Sequence, residues 1–399
     1  MAFLTQDLQL SGGVGVIVHH AVQLSRQDFD VDLVLTRDAN QPEWEHHGLE
    51  GTRIVHLAEA RERRYDVAVA TWWETIGHVF ELPAARHVCF VQSLEDRFYS
   101  AGHPLQWSAA LALDVPVRFV TEARWIARTL EALRPGERVL YVRNGIPKDL
   151  FRPVAEVPVR APGAPLRILV EGSSRVPFKG VPEALRATVA MTQPRHVTIV
   201  SPDGSGAELE GADRVLGPVS QAQLAELYAD ADVLLKLSRV EGMFGPPLEA
   251  FHRGATCVVT PVTGHDEYVA HGENGIVVDW DDTAGTARAL DLLARDRALL
   301  HRLRHGALAT ARGWPSWGQQ GQVMALALRA VLREPAPDPA RAAVRLSRDL
   351  AGARFDGERA VDALATANAR VAHVENSRAY RTAVRVRTRL DRVTGRRPD

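Results

Sequence analysis

Lysine is almost missing from this chain. Only Lys148, Lys179 and Lys236 occur in 399 residues, and the rest of the 48 basic side chains are arginine. Net charge is missing too: 49 acidic side chains leave a formal charge of -1. That balance excludes the broad basic footprint of a nucleic-acid binder. Cysteine is confined to Cys89 and Cys257, each inside an apolar run. Buried, reduced thiols are expected there, not a disulfide framework. No apolar stretch approaches the roughly 18 residues of a membrane-spanning helix. The N-terminus shows no basic segment followed by an apolar one, so a signal peptide is not expected. A strand that begins at Ala2 suggests a start codon upstream. What is present is a hydrophobic content of 46%, enough for packed cores. The length predicts about two domains at roughly 150 residues each. A soluble, cytoplasmic protein is the expectation.

Short apolar runs alternate with helical patterns. Ala2–Thr5, Val31–Leu35, Val67–Thr71, Val88–Val91, Val117–Val120 and Val139–Val142 read as strands. A second series follows at Leu166–Val170, Val197–Val200, Val215–Leu216, Val233–Leu237, Cys257–Thr260 and Ile276–Val278. Helices are expected at Pro182–Met191, Gln221–Ala229, Pro247–Arg253 and, as one element, Thr283–Arg304. Apolar strands between helices indicate parallel sheets covered on both faces. Pro153, Pro158, Pro162 and Pro165 mark a linker between the two series. Trp314-Pro-Ser-Trp317 opens another helix to about Leu332. A Pro-rich break at Pro335–Pro339 precedes an Arg-rich helical tail. The expected units are 1–152, 166–313, a helix at 314–333 packing back on the first domain, and a tail at 338–399. Ligands of such sheets bind at the carboxyl ends of the strands.

Two constellations fall at such ends. Arg175-Val-Pro-Phe-Lys179-Gly180 follows the strand ending near Val170. Arginine offers a planar fork and lysine a movable point charge to a pyrophosphate; a solvated basic turn is the alternative. Glu241-Gly-Met-Phe-Gly-Pro-Pro-Leu-Glu249 follows the strand ending near Leu237. Its carboxylates can accept from sugar and ribose hydroxyls, and its helix start offers backbone donors to anions. Taken singly, Glu241 reads as a surface acid and Glu249 as a first-turn partner of the helix dipole. A third candidate is the Gly12-Gly13 loop, where glycine permits positive φ and close backbone approach. It lacks the G-x-G-x-x-G spacing. Gln92 and Glu95, in Val91-Gln-Ser-Leu-Glu-Asp96, and Trp72 and Trp73 end first-domain strands. Aromatic faces there suit sugar contact, although burial in a core is common for Trp. His19-His20 and His46-His47 form no metal site, and no Asp-x-Asp triplet of the type that holds a metal-bound nucleotide diphosphate is evident. No P-loop or nucleophile elbow occurs either.

The second half resembles the retaining, nucleotide-sugar-dependent enzymes of glycosyltransferase family 4 (glycosyl transferases group 1). The Arg175/Lys179-Gly180 and Glu241/Glu249 pairs stand at the family's spacing. Gly217–Val233, Thr263-Gly-His-Asp-Glu267-Tyr, Gly272-Glu-Asn-Gly275 and Asn144-Gly-Ile-Pro with Phe151 are similar to neighbouring family segments. The resemblance covers about residues 1–330. It implies an α/β GT-B fold: two Rossmann-like doubly wound domains facing across a cleft, with a helical C-terminal tail. It implies that Arg175 and Lys179 hold the donor diphosphate, Glu241 the donor sugar and Glu249 the ribose. The amides of Met243, Phe244 and Gly245 would face sugar or phosphate, and Gly12-Gly13 the diphosphate and acceptor. Phe244 stands three residues after the first glutamate, where the family more often has Phe two after. Gln92 replaces a common histidine, and Gln92, Glu95 and Phe98-Tyr99 together resemble a subset that includes rhamnosyltransferases.

The resemblance implies transfer of a hexose or deoxyhexose from a nucleotide-diphosphate sugar to a hydroxyl of a glycan, lipid-linked glycan or small molecule. No cofactor and no metal are implied. A nucleotide-sugar epimerase of the same fold and a catalytically silent sugar-nucleotide-binding subunit are the alternatives. In the tail, Arg370, Arg378, Arg381, Arg385, Arg387, Arg389, Arg392, Arg396 and Arg397 face only Glu375, Asp391 and Asp399 in number. Such a helix suits peripheral contact with an anionic membrane, at the inner face of the cell membrane, or self-association.

Overall fold

The computed structural model describes residues 1–9, 11–37, 49, 51–161, 163–204 and 209–376. His46-His47 and the arginines from Arg378 onward lie outside the described residues. The first domain contains β1 (Ala2–Thr5), α1 (Gly12–Ser25), β2 (Val31–Leu35), β3 (Thr52–His56), α2 (Leu57–Ala60) and β4 (Tyr65–Ala70). It continues through α3 (Trp73–Val79), β5 (Ala84–Val91), α4 (Pro104–Leu111), β6 (Arg118–Thr121), α5 (Arg124–Leu133) and β7 (Leu140–Tyr141). The second contains β8 (Leu166–Glu171), α6 (Val181–Val189), β9 (Arg195–Val200), β10 (Arg214–Leu216), α7 (Gln221–Asp230) and β11 (Val233–Lys236). Then come α8 (Gly245–His252), β12 (Thr256–Val259), β13 (Gly275–Val277), α9 (Thr283–Arg295), α10 (Arg297–Gly313), α11 (Trp317–Arg333) and α12 (Pro339–Asn376).

Both sheets are parallel throughout. Their orders are β3-β2-β1-β4-β5-β6-β7 and β10-β9-β8-β11-β12-β13. Each order reverses once, between β1 and β4 and between β8 and β11. These are the switch points where an open α/β sheet leaves a crevice for ligand. The central strands are buried from end to end and largely apolar, as parallel strands covered on both faces are: every residue of β1, β2, β11 and β12 is buried. Each fully buried Phe or Leu, such as Phe3, Leu33, Phe90 and Phe251, contributes about 1.5–3 kcal/mol.

Helix ends follow their capping residues. Ser220 and Ser316 each accept from the backbone N–H three residues on, at 3.2 and 3.4 Å, while Gln223 and Gln319 return a bond to the cap. α11 runs back to α1, where Met324, Ala325, Leu328 and Val331 join the core built from α1 and the first sheet. Gly145 makes the return possible, because a Cβ there would stand 2.4 Å from the Trp317 backbone nitrogen.

Four local expectations need correction. The helix expected over Thr283–Arg304 is two helices: Asp296 leaves helical geometry and its carboxylate caps α10 at Leu299 N–H, 2.8 Å away. β3 had no counterpart in the sequence reading. Gly12 and Gly13 are not a loop, because Ser11 caps Val14 N–H at 3.1 Å and α1 starts at Gly12. Neither glycine has positive φ. α8 begins at Gly245, two residues early, so Glu249 lies in its second turn and no acid occupies the first. Both cysteines are free and buried. No described helix is long and apolar enough to cross a membrane. The start of α12 docks on the first domain through Ala342 and through Arg345, which lies 3.5 Å from Asp114 and 3.2 Å from Glu137. Farther along the same helix, Leu350, Phe355, Val361 and Leu364 are exposed.

Candidate active site

The loops after β8 and β11 meet at the second domain's switch point. Gly180 makes the meeting possible. Its φ is +67°, and a Cβ would stand 2.0 Å from the Leu237 carbonyl oxygen at the end of β11. The preceding turn, Pro177–Lys179, is tied to the second loop by Arg239 N–H donating to the Phe178 carbonyl at 2.7 Å. This brings Lys179 over Glu241: Nζ donates to both carboxylate oxygens, at 3.0 and 3.2 Å. Glu241 is held in turn through its backbone carbonyl, which accepts from Thr263 Oγ1 at 3.2 Å.

A second polar group is built around the end of β8. Glu171 ends β8 and accepts from the Tyr228 hydroxyl at 3.3 Å. Lys236, almost wholly buried at the end of β11, donates to the Glu171 carbonyl at 3.1 Å and lies 3.6 Å from its carboxylate. Glu249 projects into the same group. Desolvation pushes its carboxyl up to about 8, helped by the charge of Glu171 and opposed by Tyr228 and Lys236. A carboxyl there can accept from a diol, and when protonated it can also donate. Sequence reasoning missed Glu171, Tyr228 and Lys236 as members of this group, because only the topology brings β8, α7 and β11 together.

Arg175 is placed differently. Its side chain is exposed on the rim and makes no hydrogen bond among the described residues. Its backbone N–H donates to Ser173 Oγ at 3.2 Å and to Asp203 at 3.3 Å. Asp203 also accepts from Ser173 and Ser174, and these bonds hold its carboxyl well below the usual range. The turn carrying Arg175 is therefore anchored while its guanidinium projects outward.

The first domain approaches from the other side. A Cβ on Gly13 would stand 3.5 Å from Gln92 Oε1. The Gln92 carbonyl abuts Gly242, where a Cβ would stand 1.7 Å from that oxygen. Gln92 thus joins the α1 start to the Glu241 loop. Trp72 stacks on Phe98 at 5.9 Å, and Phe98 meets Phe178 of the second domain at 5.6 Å. Glu95 is buried and accepts from Trp73 N–H at 2.6 Å, at the start of α3. Burial pushes it up to about 8, with Asp96 and Glu74 adding repulsion. The Trp73 indole N–H donates to Tyr99 at 3.1 Å. Glu95 and Trp73 therefore serve the first domain's own framework, whereas Gln92 and Trp72 sit where the domains meet.

A further set of residues crosses between the domains. Glu122, buried just beyond β6, accepts from Asn144 Nδ2 at 2.8 Å and from Met243 N–H at 3.2 Å. Burial pushes Glu122 up to about 8 despite those two bonds. The Trp125 indole N–H donates to the Gly242 carbonyl at 2.9 Å. Glu267 accepts from Arg124 N–H at the start of α5 and from the Tyr141 hydroxyl at 3.2 Å. Arg97 donates to Thr263 Oγ1 at 2.8 Å. The Met243 amide, expected to face sugar or phosphate, donates to Glu122 in this structure, and the amides of Phe244 and Gly245 stand beside it in the same loop. Asn144 and Glu267 stand in motifs already quoted; Glu122 and Trp125 carried no signal beyond following an apolar strand.

Among the described residues no group of three or more His, Cys, Asp or Glu side chains is arranged to hold a metal. Asp-x-Asp triplets do occur, at 28–30, 30–32, 230–232 and 279–281. Asp32 and Asp232 are buried against arginines, Arg53 at 2.8 Å and Arg160 at 2.9 Å, and Asp281 pairs with Arg239. His19 and His20 pack on Trp317, at 4.6 and 5.1 Å between ring centres.

Residues 166–296 match the family described as glycosyl transferases group 1. A D-inositol 3-phosphate glycosyltransferase of Thermobispora bispora is 31% identical over 221 residues, 49% of this chain and 51% of that protein. An N-acetyl-alpha-D-glucosaminyl L-malate synthase of Bacillus anthracis is 39% identical over 87 residues, 22% of this chain and 23% of that one. The chain spans about half the length, or less, of the curated relatives it matches. Among solved structures, sucrose-phosphate synthase from Thermosynechococcus elongatus superposes with a TM-score of 0.67 at 17% identity, covering 83% of this chain and 98% of that chain. HepE of Anabaena in complex with UDP and glucose superposes with a TM-score of 0.64 at 15% identity, covering 82% and 99%. The chain therefore has the GT-B fold of two Rossmann-like domains, and residues 166–296 of its second domain match the glycosyl transferases group 1 family.

Proposed function

We propose that this protein is a retaining glycosyltransferase of family 4. It moves a hexose or deoxyhexose from a nucleotide-diphosphate sugar to a hydroxyl of a glycan, lipid-linked glycan or small molecule. The observation that carries this reading is the Lys179–Glu241 pair, 3.0 Å apart at the switch point, in the same domain as the buried Glu249 group. A cation for a phosphate and carboxylates for hydroxyls are there set within one crevice. Curated relatives named as glycosyltransferases support the class, and the UDP-glucose complex of HepE supports a nucleotide-sugar donor.

In this reading Lys179 exchanges Glu241 for the donor diphosphate, and Arg175 swings in from the rim. As the anomeric bond breaks, charge grows on the leaving diphosphate. Fixed cations that bind it more strongly in the transition state lower the barrier. Glu241 and the amides of Phe244 and Gly245 hold the sugar, and Glu249 holds the ribose. Gln92 and Trp72 face the acceptor side. The incoming hydroxyl attacks from the leaving-group face and loses its proton to a phosphate oxygen, so no carboxylate pair of glycosidase type is needed. Arg175 and Lys179 carry the charge that a divalent metal carries elsewhere; activity that survives EDTA is the expected result. Residues 1–152 form the acceptor side and 166–313 the donor side. The tail beyond Asp338 serves association, with an anionic membrane surface or a second copy, and not donor binding.

The reading is tested by incubating the full chain with labelled UDP-, GDP-, ADP- and dTDP-sugars and separating hydrolysis, transfer and epimerised donor. Epimerised sugar without transfer would favour the epimerase instead.

A further inference from the structure

We infer that Glu122 of the first domain is a positioning residue for the donor loop of the second. Its carboxylate fixes the backbone of Gly242–Met243 and so completes the sugar-binding part of the site only when the domains meet. The inference rests on the functional reading above and deepens it.

Three observations carry it. First, the carboxylate is shared between domains: one oxygen accepts from Asn144 Nδ2 at 2.8 Å within the first domain, the other from Met243 N–H at 3.2 Å across the gap. Met243 is two residues from Glu241 and one from Phe244. Whatever fixes its amide also restrains the backbone that carries Glu241 and the Phe244 and Gly245 amides beside it. Second, the peptide on the other side of Gly242 is held by the first domain too, through the Trp125 indole N–H on its carbonyl at 2.9 Å. Third, position 242 has no room for any side chain, because a Cβ would stand 1.7 Å from the Gln92 carbonyl and 3.4 Å from Glu122 Oε1. A loop residue whose amide neighbours, carbonyl and missing side chain are all matched by the facing domain is not a loose surface turn. Glu122 is itself buried, at 4% exposure. A buried acceptor with two donors in fixed positions sets geometry where a solvated one would not.

Nucleotide binding should not depend on this contact. Lys179, Glu249 and Arg175 all belong to the second domain. The contact should matter for the step in which the sugar is oriented and charge moves, where sub-ångström placement counts. A merely structural Glu122 would instead lower stability and all activities together.

The test uses the full chain with Glu122→Ala, Glu122→Gln and Trp125→Phe. For Glu122→Ala, kcat is expected to fall at least about tenfold with the affinity for nucleoside diphosphate changed less than about threefold, the pattern of an interaction used only in the transition state. Glu122→Gln is expected to stay within about threefold of wild type: its Oε1 still accepts from Met243, and a flip of the Asn144 amide turns Oδ1, buried without a partner, toward the new Nε2 donor. Trp125→Phe is expected to shift kcat in the same direction by a smaller factor. Hydrogen exchange of the 241–248 segment gives a readout independent of turnover, with the Met243 amide protected in wild type and Glu122→Gln and faster in Glu122→Ala. If wild type turns over no nucleotide sugar, the functional reading fails, and the exchange data still decide whether Glu122 holds the loop. Unchanged exchange in Glu122→Ala would overturn the inference. So would equal loss of kcat and nucleotide affinity in both Glu122 variants.

Discussion

Replacing Lys179 by alanine separates the two things that side chain can do. In the free protein it bonds both oxygens of Glu241, at 3.0 and 3.2 Å, with 30% of the lysine side chain and 12% of the glutamate exposed. A pair with a partly solvated cation contributes little, about 0–1 kcal/mol. For a chain of this size that is a melting shift below about 4 °C. In the reaction proposed here, the same ammonium meets the departing diphosphate. A charge-assisted hydrogen bond contributes about 1.5–3 kcal/mol, and loss of a preorganised transition-state contact costs about 10²–10³ in rate. Lys179→Ala is therefore expected to melt near wild type while turnover of nucleotide sugar drops by two orders of magnitude or more. The assay is release of nucleoside diphosphate by the purified full chain, alongside thermal melts of the same preparations. Turnover within about threefold of wild type would refute the role. A large loss of stability with the same loss of turnover would show that the ion pair acts through the fold.

Three further outcomes follow from the same geometry. Gly180→Ala must place a Cβ 2.0 Å from the Leu237 carbonyl at a φ of +67°; a strained left-handed residue costs about 1–3 kcal/mol, and the melting temperature and nucleotide affinity should fall together. Glu249→Ala should weaken nucleoside diphosphate binding about tenfold or more in titration calorimetry with a smaller effect on kcat, whereas Glu241→Ala should lower kcat and leave nucleotide affinity near wild type. Burial raises Glu95, Glu122 and Glu249 to about 8, so the folded state holds protons that the unfolded chain releases near its ordinary carboxylate range. Stability then falls as pH rises from about 5 to 8 and levels off above. Thermal melts across that window should show it, and Glu95→Gln should flatten the slope.

Much of the fold was legible because parallel strands buried on both faces write themselves as apolar runs. β1, β2, β11 and β12 are wholly buried. β3 escaped for the opposite reason. It is an edge strand pairing only with β2, and of Thr52–His56 only Val55 is buried, so no apolar run marks it. The break at Asp296 escaped because helical periodicity continues on both sides of a cap made by one carboxylate. The candidate site was legible where charge chemistry is tied to spacing, as for Lys179 and Glu241. Glu122 was illegible because its meaning lies in a backbone amide 121 residues away. Glu95 shows the converse: its position at a strand end suggested substrate contact, whereas its carboxylate caps a helix of its own domain.

The central claim is tested most directly by mixing the full chain, one at a time, with UDP-, GDP-, ADP- and dTDP-linked sugars and following nucleoside diphosphate release and the anomeric configuration of the product by NMR. The account predicts that at least one donor is consumed with EDTA present, that its sugar appears on an acceptor hydroxyl or on water with the anomeric configuration retained, and that Arg175→Ala and Lys179→Ala each suppress this. Binding of no nucleotide or nucleotide sugar, or a product of inverted configuration, would contradict it.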